Sequence, residues 1–420
     1  MKIEIVTIGD ELLLGFTIDT NSAHLGRELA AIGVEITRRA TVGDNPDDIA
    51  AAVGEAIERT GAVITTGGLG PTADDMTAAS IAKIFGRELR LDEPTLQAMK
   101  ERWARLKRTG PFPQSNIAQA MIPEGATILP NRHGSAPGVW LEDEKGRWVS
   151  MLPGVPREMR GLLADELLPR IRRRVEAESG GSAPVIRSRT LRTTGIAESA
   201  LADLLGELAG GVDGMSLAFL PSVDSVDLRL TVRGVAASEA DAMLEQGILK
   251  LRNKAGRYVY GEEGADLAEL VLATCRKRGV NIAVAESCTG GMLGERLTAI
   301  PGSSDVFLGG VIAYDNAVKR ELLGVSDDDL SQHGAVSEEV ASAMAAGICR
   351  ILEADIGIGI TGVAGPGGGT AAKPVGMVWV ALDGIKKEAR CLRLFGTREE
   401  VRQRAAQAAL DMVRRALATD

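Results

Sequence analysis

"AVITTGGLGPTADDMTAASIAKIFG", residues 62–86, decides the fold. A β-branched apolar run ends at Thr66, a glycine-rich loop follows, and apolar residues then recur at helical spacing up to Gly86. Strand, glycine turn and helix in that order form the repeating unit of an open α/β sheet, which binds ligands at the carboxyl ends of its strands. The flanking sequence repeats the rhythm. "IEIVTIG" (3–9) reads as a strand and "TNSAHLGRELAAIG" (20–33) as a helix closed by Gly33. "VEITRRATV" (34–42) is the next strand, and "PDDIAAAVGEAIERTG" (46–61) a helix with Pro46 in its first turn and Gly61 past its end. This alternation predicts a parallel sheet with helices on both faces.

Two breaks divide the chain. "ESGGSAP" (178–184) reads as a linker and "GEEG" (261–264) as a second, giving segments 1–178, 184–261 and 264–420. The middle segment alternates as a small α+β unit. The third returns to α/β: helix 265–278, strand 281–285, helix 290–299, strand 306–313, helix 337–352, strands 355–360 and 375–382, and a last helix 397–417. The expected class is therefore α/β: two α/β domains with parallel or mixed central sheets, joined by a small α+β domain.

Composition narrows the partners. The net charge is −9 and aromatics make up 3% of the 420 residues, which disfavours a phosphate-backbone binder and a base-stacking platform. "RIRRR" (170–174) reads as a solvated helix face. The four cysteines form no CxxC pair, so a disulfide scaffold is not expected and a reducing cytoplasm is. The amino-terminal stretch is broken by Glu4, Asp10 and Glu11, and no apolar run reaches the roughly 18 residues of a membrane span. The expected location is the cytoplasm, without membrane contact.

Chemistry-bearing residues cluster at two places. In "VAESCTGGMLG" (284–294), Ser287 and Cys288 precede the glycines that open a helix, whose free N–H groups and dipole could stabilise an oxyanion. Ser287 reads equally as a helix cap. A base must be found among few candidates. The histidines are His24, His133 and His333, and nothing marks His333 in "SQHGAVS" as more than a loop residue. Lys319, five residues after Tyr314 in "VIAYDNAVKRELLG", would serve if burial lowered its pKa from about 10.4. "GIGITGVAGPGGGTAAKPVG" (357–376) carries a glycine-rich loop after Thr361, either a phosphate cradle or a flexible turn. No Gly-Lys-Ser/Thr follows, which disfavours ATP hydrolysis.

In the first segment, Gly67, Gly68, Gly70 and Thr72 lie between strand and helix, and Asp74 and Asp75 open that helix. The two aspartates read as caps, or else as ligands. Together with Asp10, Glu11 and Asp44 they would make an oxygen-rich site for Mg²⁺ or Mn²⁺. The scarcity of histidine and thiol in this half argues against zinc.

"AESCTGG", "AYDNAVK", "HGAVSEEVA", "ITGVAGPGGG" and "KPVGMVWVAL" resemble, in order and spacing, the CinA C-terminal domain, the PncC type, over 265–420. The resemblance implies a nicotinamide mononucleotide amidase that releases nicotinate mononucleotide and ammonia. By it Ser287 is the nucleophile, Lys319 the base and Tyr314 an orienting group, with no cofactor. Thr361, Gly362 and Gly365 would bind substrate, and Arg398 its phosphate. "GDELLLG…DTNS", "TTGGLGPTADD", "GSAPG" (134–138) and "LPGVPREM" (152–159) resemble the molybdopterin-binding fold of MogA and MoaB, and more closely the CinA N-terminal domain, over about 1–170. That implies an ADP-ribose pyrophosphatase yielding AMP and ribose 5-phosphate. Asp44 and Asp75 would be its functional pair, the glycine loop its substrate cradle, and Asp10, Glu11 and Asp74 the holders of Mg²⁺, Mn²⁺ or Co²⁺. The middle segment resembles the KH-like module of the same family. Its "RTTGIAES" is not a GXXG clamp, so it reads as a spacer. A homodimer acting on small nucleotides is expected. The alternatives are a molybdopterin-binding or adenylating protein and a non-catalytic, competence-linked adaptor.

Overall fold

The structure, a computed structural model, describes residues 1–72, 74–106, 110–179 and 185–418. Of the linker expected at 178–184, Glu178 and Ser179 end the helix Leu168–Ser179, and 180–184 lie outside the described residues. Packing divides the chain into two compact units, Met1–Arg187 with Val232–Ala242, and Ser188–Thr231 with Met243–Asp420.

The first unit is built on six strands of its central sheet: β1 (Lys2–Ile8), β2 (Glu35–Val42), β3 (Ala62–Thr66), β6 (Thr127–Leu129), β7 (Gly138–Glu142) and β8 (Trp148–Leu152). Between β3 and β6 lies a separate two-stranded ribbon, β4 (Leu89–Leu91) and β5 (Met121–Pro123). The central order is β2-β1-β3-β8-β7-β6. The four strands from β2 to β8 run parallel, while β7 and β6 are antiparallel additions. The sheet is thus mixed, parallel over the three strands of the repeated strand–helix rhythm and over β8, which that rhythm does not include. The helices start where the sequence signals them. Asn45 Oδ1 accepts from the amides of Asp47 and Asp48 at the head of Pro46–Thr60, and Gly61 closes that helix with φ +72°. "RIRRR" is a packed face as well as a solvated one: Arg170 and Arg174 lie over the Trp140 ring, and Arg174 pairs with Glu142. A guanidinium covers an aromatic face more favourably than a purely solvated reading allows.

The middle segment supplies a four-stranded sheet, order β10-β11-β9-β12, from β9 (Val185–Thr193), β10 (Ser216–Pro221), β11 (Val226–Val235) and β12 (Val259–Glu262). The last segment holds β13 (Ile282–Glu286), β14 (Phe307–Ile312), β15 (Ile356–Gly362), β16 (Met377–Gly384) and β17 (Glu388–Arg393), ordered β14-β13-β15-β16-β17. The first three are parallel and the last two antiparallel. Helix Glu338–Leu352 lies so close to β15 that a side chain at Gly359 would run into the Ala341 carbonyl. Tyr260, from β12, packs into the same core as Leu272, Ile358 and Leu410. No helix of the described residues is long and apolar enough to cross a membrane.

Candidate functional sites

Parallel pairing brings three strand ends of the second unit together. Glu286 at the end of β13 is in register with Ile312 of β14 and Ile360 of β15. The Ser287 amide donates to the Ile360 carbonyl (2.9 Å), and the Ala313 amide to the Glu286 carbonyl (2.7 Å). Ser287, Tyr314 and Thr361 therefore issue from adjacent carboxyl ends, where such sheets form their ligand crevice.

The helix expected at the glycines begins at Met292, and Ser287 does not cap it. Glu286 does. Its buried carboxylate accepts from the amides of Gly291 (3.1 Å), Leu293 (3.0 Å) and Gly294 (2.8 Å). These N–H groups, expected free for an oxyanion, are occupied, because a buried carboxylate and a helix start satisfy one another. Among the described residues, the amides of Cys288 and Thr289 bond no other residue. The Ser287 hydroxyl is left without a capping duty, and the residue is 8% exposed. Sequence reasoning passed over Glu286, which ends an apolar strand six residues before the helix and carries none of the local cap signals.

Lys319, on helix Asn316–Glu321, is 1% exposed. Burial pushes its amine below the ordinary lysine range, against the opposing pull of Asp315 and Cys288. Its Nζ donates to the Tyr314 carbonyl (3.3 Å). Tyr314 thus meets the lysine through its backbone, while its 63% exposed side chain accepts at the hydroxyl from Arg398 Nη2 (2.9 Å). Arg398, opening helix Arg398–Ala418, also donates to the Gly365 carbonyl (2.7 Å), which ties the glycine loop to the tyrosine. Arg402 holds the Thr289 carbonyl through Nε (3.0 Å) and Nη2 (2.7 Å), and Arg404 lies over the Phe395 ring. Thr361 donates to the Ala335 carbonyl (2.6 Å), and Gly362 ends β15 beside Val378 of β16. Burial pushes the Cys288 thiol up to about 12.

The first unit has a cavity of about 460 Å³ at the carboxyl ends of β1, β3 and β8. Glu11, Asp44, Asp74, Asp75 and the glycines 67, 68 and 70 line it. Gly67 has φ +108°, and a side chain there would strike the Ile8 carbonyl. Asp74 and Asp75 do not open the helix, which begins at Thr77. Asp75 instead folds the loop, accepting from the amides of Gly70 (2.6 Å) and Thr72 (2.8 Å) and from the Thr72 hydroxyl (2.5 Å). An aspartate can satisfy loop amides locally, and here that bonding won over helix capping. Asp10 is outside the cavity wall. Its carboxylate accepts from the Asp44 amide (3.2 Å), and its own amide donates to Asp44 (3.0 Å). Desolvation pushes the Asp44 carboxyl up, and the charges of Asp10, Glu11 and Asp74 push it further. Among the described residues no three His, Cys, Asp or Glu groups are placed to hold a metal ion by themselves. Asn21, Gln119, Ser135 and Glu158 also line the cavity and were not singled out from sequence. Asn21 donates to Thr66 (3.1 Å) and to the Gly154 carbonyl (2.7 Å), fixing one wall.

Three family models match the chain. The "CinA C-terminal domain" matches residues 264–417, the "Probable molybdopterin binding domain" 4–173, and the "Damage-inducible protein CinA KH domain" 188–261. A CinA-like protein of Gemmatimonas aurantiaca is 63% identical over 423 residues, covering 100% of this chain and 97% of that protein. A CinA-like protein of Kosmotoga olearia is 42% identical, covering 99% of each chain. One of Gloeobacter violaceus is 44% identical, covering 98% of this chain and 96% of that one.

Proposed function

The chain belongs to the CinA family, and from that premise we propose that it is a bifunctional nucleotide hydrolase of pyridine-nucleotide salvage. Its last segment deamidates nicotinamide mononucleotide. The observation that carries this reading is the buried amine of Lys319 with its lowered pKa, bonded to the Tyr314 carbonyl at the strand end adjacent to that of Ser287. A lysine that stays neutral can act as a base without histidine. Ser287 Oγ attacks the amide carbon while Lys319 Nζ takes its proton. The tetrahedral adduct collapses, and the departing nitrogen takes that proton and leaves as ammonia. Water, deprotonated by Lys319, then cleaves the Ser287 ester, releasing nicotinate mononucleotide and restoring the serine hydroxyl. The turn amides of Cys288 and Thr289 are the nearest candidates for holding the oxyanion. The carbonyl of Tyr314 orients the lysine, and Arg398 supports the Tyr314 ring and the Gly365 loop near the substrate phosphate.

The first unit hydrolyses ADP-ribose to AMP and ribose 5-phosphate, with the Gly67–Gly70 loop against the pyrophosphate and its Gly68 amide as a donor, since the Gly67 and Gly70 amides are taken by the Leu152 carbonyl and Asp75. A Mg²⁺-like ion is usually held by one or two carboxylates plus substrate phosphates, which suits a cavity walled by carboxylates that form no closed ligand set. Glu11 and Asp74 would hold it, and it would offset the phosphate charge. Asp75 shapes the loop, and Asp44 faces the substrate. A second reading, that this unit binds molybdopterin, draws on the family model matching residues 4–173.

Purified protein incubated with each nucleotide tests both halves. Ser287→Ala and Lys319→Ala should each lower nicotinate mononucleotide formation by several orders of magnitude, and Lys319→Arg should not rescue it, since a guanidinium stays protonated. A chelator should stop ADP-ribose cleavage and spare ammonia release. Activity in Ser287→Ala sinks the amidase mechanism. Equal loss of both activities to the chelator sinks the assignment of metal to one site.

A further inference from the structure

Beside the glycine-loop cavity, the first unit has a second one, of about 700 Å³, with a different chemistry. Three arginines line it: Arg102 and Arg105 from the last turns of helix Glu93–Arg105, and Arg132 from the loop that follows β6. The single carboxylate on its wall, Asp92, caps the helix by accepting from the Thr95 amide (2.9 Å). Among the described residues neither Arg105 nor Arg132 forms an ion pair. Arg102 Nη1 donates to the Arg132 carbonyl (3.2 Å), so the helix end and the loop are joined at this point. The loop is also pinned from behind, where Asn131 donates to the Ala136 carbonyl (2.7 Å) and to Glu158 (2.6 Å). The wall also has an apolar part, with Met99, Ile128 and Pro130. Ser135 lines both this cavity and the glycine-loop cavity.

Arginines in the last turn of a helix also complement its dipole, and for Arg102 and Arg105 that alone would be an adequate account. It does not cover Arg132, which belongs to no helix and is held by a braced loop against the same space. In a chain of net charge −9, three guanidiniums around one cavity with its only acid occupied make a local excess of positive charge. Planar forked donors match a phosphate dianion, and the apolar wall suits a base or sugar face. We propose that this cavity is a binding site for a nucleoside monophosphate, with the phosphate on Arg102, Arg105 and Arg132 and the nucleoside against Met99 and Ile128. The site is separate from the glycine-loop cavity and independent of the reaction proposed there.

The test is hydrogen–deuterium exchange on the full-length protein with AMP, adenosine and inorganic phosphate as probes. AMP should slow exchange in 93–105 and 130–137, adenosine should not, and phosphate should compete with AMP. Arg132→Gln, in an exposed side chain, should weaken the AMP effect roughly tenfold, and Arg105→Gln/Arg132→Gln together by considerably more. Thermal melts identify any misfolded variant, and Lys100→Gln, on the same helix but not in the cavity wall, serves as a charge control that should leave AMP protection unchanged. Protection confined to 66–75 or 286–291, or persisting in the double variant, overturns the proposal, as does equal loss in Lys100→Gln. If AMP protects this cavity while wild-type protein fails to cleave ADP-ribose, the site stands and the pyrophosphatase reading falls.

Discussion

Replacing Glu286 should unfasten the start of the helix that follows the nucleophile turn. Its carboxylate accepts three backbone amides in a place where it is 1% exposed. Hydrogen bonds to a charged group contribute about 1.5–3 kcal/mol each, but three bonds to one carboxylate are not additive. Breaking a buried charged partnership costs about 3–5 kcal/mol, and Glu286→Ala should fall in that range. For a unit of this size each kcal/mol moves Tm by about 2–4 °C, so the melting transition should drop by roughly 6–20 °C. Glu286→Gln keeps the volume and one acceptor oxygen but turns an NH₂ toward donors, so its loss should be intermediate. The assay is denaturant unfolding of wild type and both variants, with amidase rates measured well below each transition. Because Ser287 adjoins the residue removed, kcat should fall more than KM rises. Stability of Glu286→Ala within about 1 kcal/mol of wild type would refute the reasoning, as would a Gln variant as damaged as the Ala one.

Other outcomes follow from the same geometry. With its thiol pushed up to about 12, Cys288 should resist iodoacetamide at pH 8 while exposed Cys391 is alkylated, and Cys288→Ala should remain an active amidase; peptide mapping and ammonia release check both. Lys319→Met should abolish amidase activity yet stabilise the fold by about 1–3 kcal/mol near neutral pH, because folding no longer has to strip the proton from an amine as it is buried. The folded lysine has the lower pKa, so between the folded and unfolded values the unfolded chain binds more protons and wild-type stability rises with pH. The advantage of Lys319→Met should therefore be largest on the acid side and shrink toward the unfolded lysine value near 10.4; a pH-independent difference in unfolding free energy would contradict it. Residues 265–420 alone should keep amidase activity but melt lower than a chain starting at 185, since they lack Tyr260 and the Arg257 and Val259 carbonyls that receive Arg414; equal melting temperatures would count against that.

The parallel strands β1, β2, β3, β13, β14 and β15 were legible because they alternate with helices whose ends are marked, as at Asn45 and Gly61, whereas the parallel β8 was not. Of the antiparallel strands, β16 was legible as the strand expected at 375–382, whereas β6, β7 and β17 were not: β17, with its half-exposed "EARCLR", carries no clear apolar period. Ser287 and Lys319 were legible as residue types, but what brings Ser287 to the strand end adjacent to Tyr314, whose carbonyl receives Lys319 Nζ, is the register of Glu286 with Ile312 and Ile360, which no local pattern encodes. The aspartates of the first unit show the same limit. Composition placed Asp10, Glu11, Asp44, Asp74 and Asp75 as a group of acids, whereas hydrogen bonding to nearby amides assigns Asp75 to the loop and Asp10 to Asp44. Glu286 was hidden by its position in an apolar strand, where its burial depends on the helix start it satisfies.

Helix Arg398–Ala418 is fastened at both ends. Near its start Arg398 and Arg402 hold Gly365, Tyr314 and Thr289, and further along Gln407 donates to Thr194 (3.3 Å) while Arg414 donates to the Arg257 and Val259 carbonyls. An α-helix turns about 100° and rises about 1.5 Å per residue. One residue inserted or deleted between Arg402 and Gln407 would swing one set of anchors a quarter-turn or more away from its partners while the other set stayed in place. The segment should therefore tolerate exchanges of side chain far better than changes of length, acting as a gauge whose residue count is fixed by the two surfaces it spans.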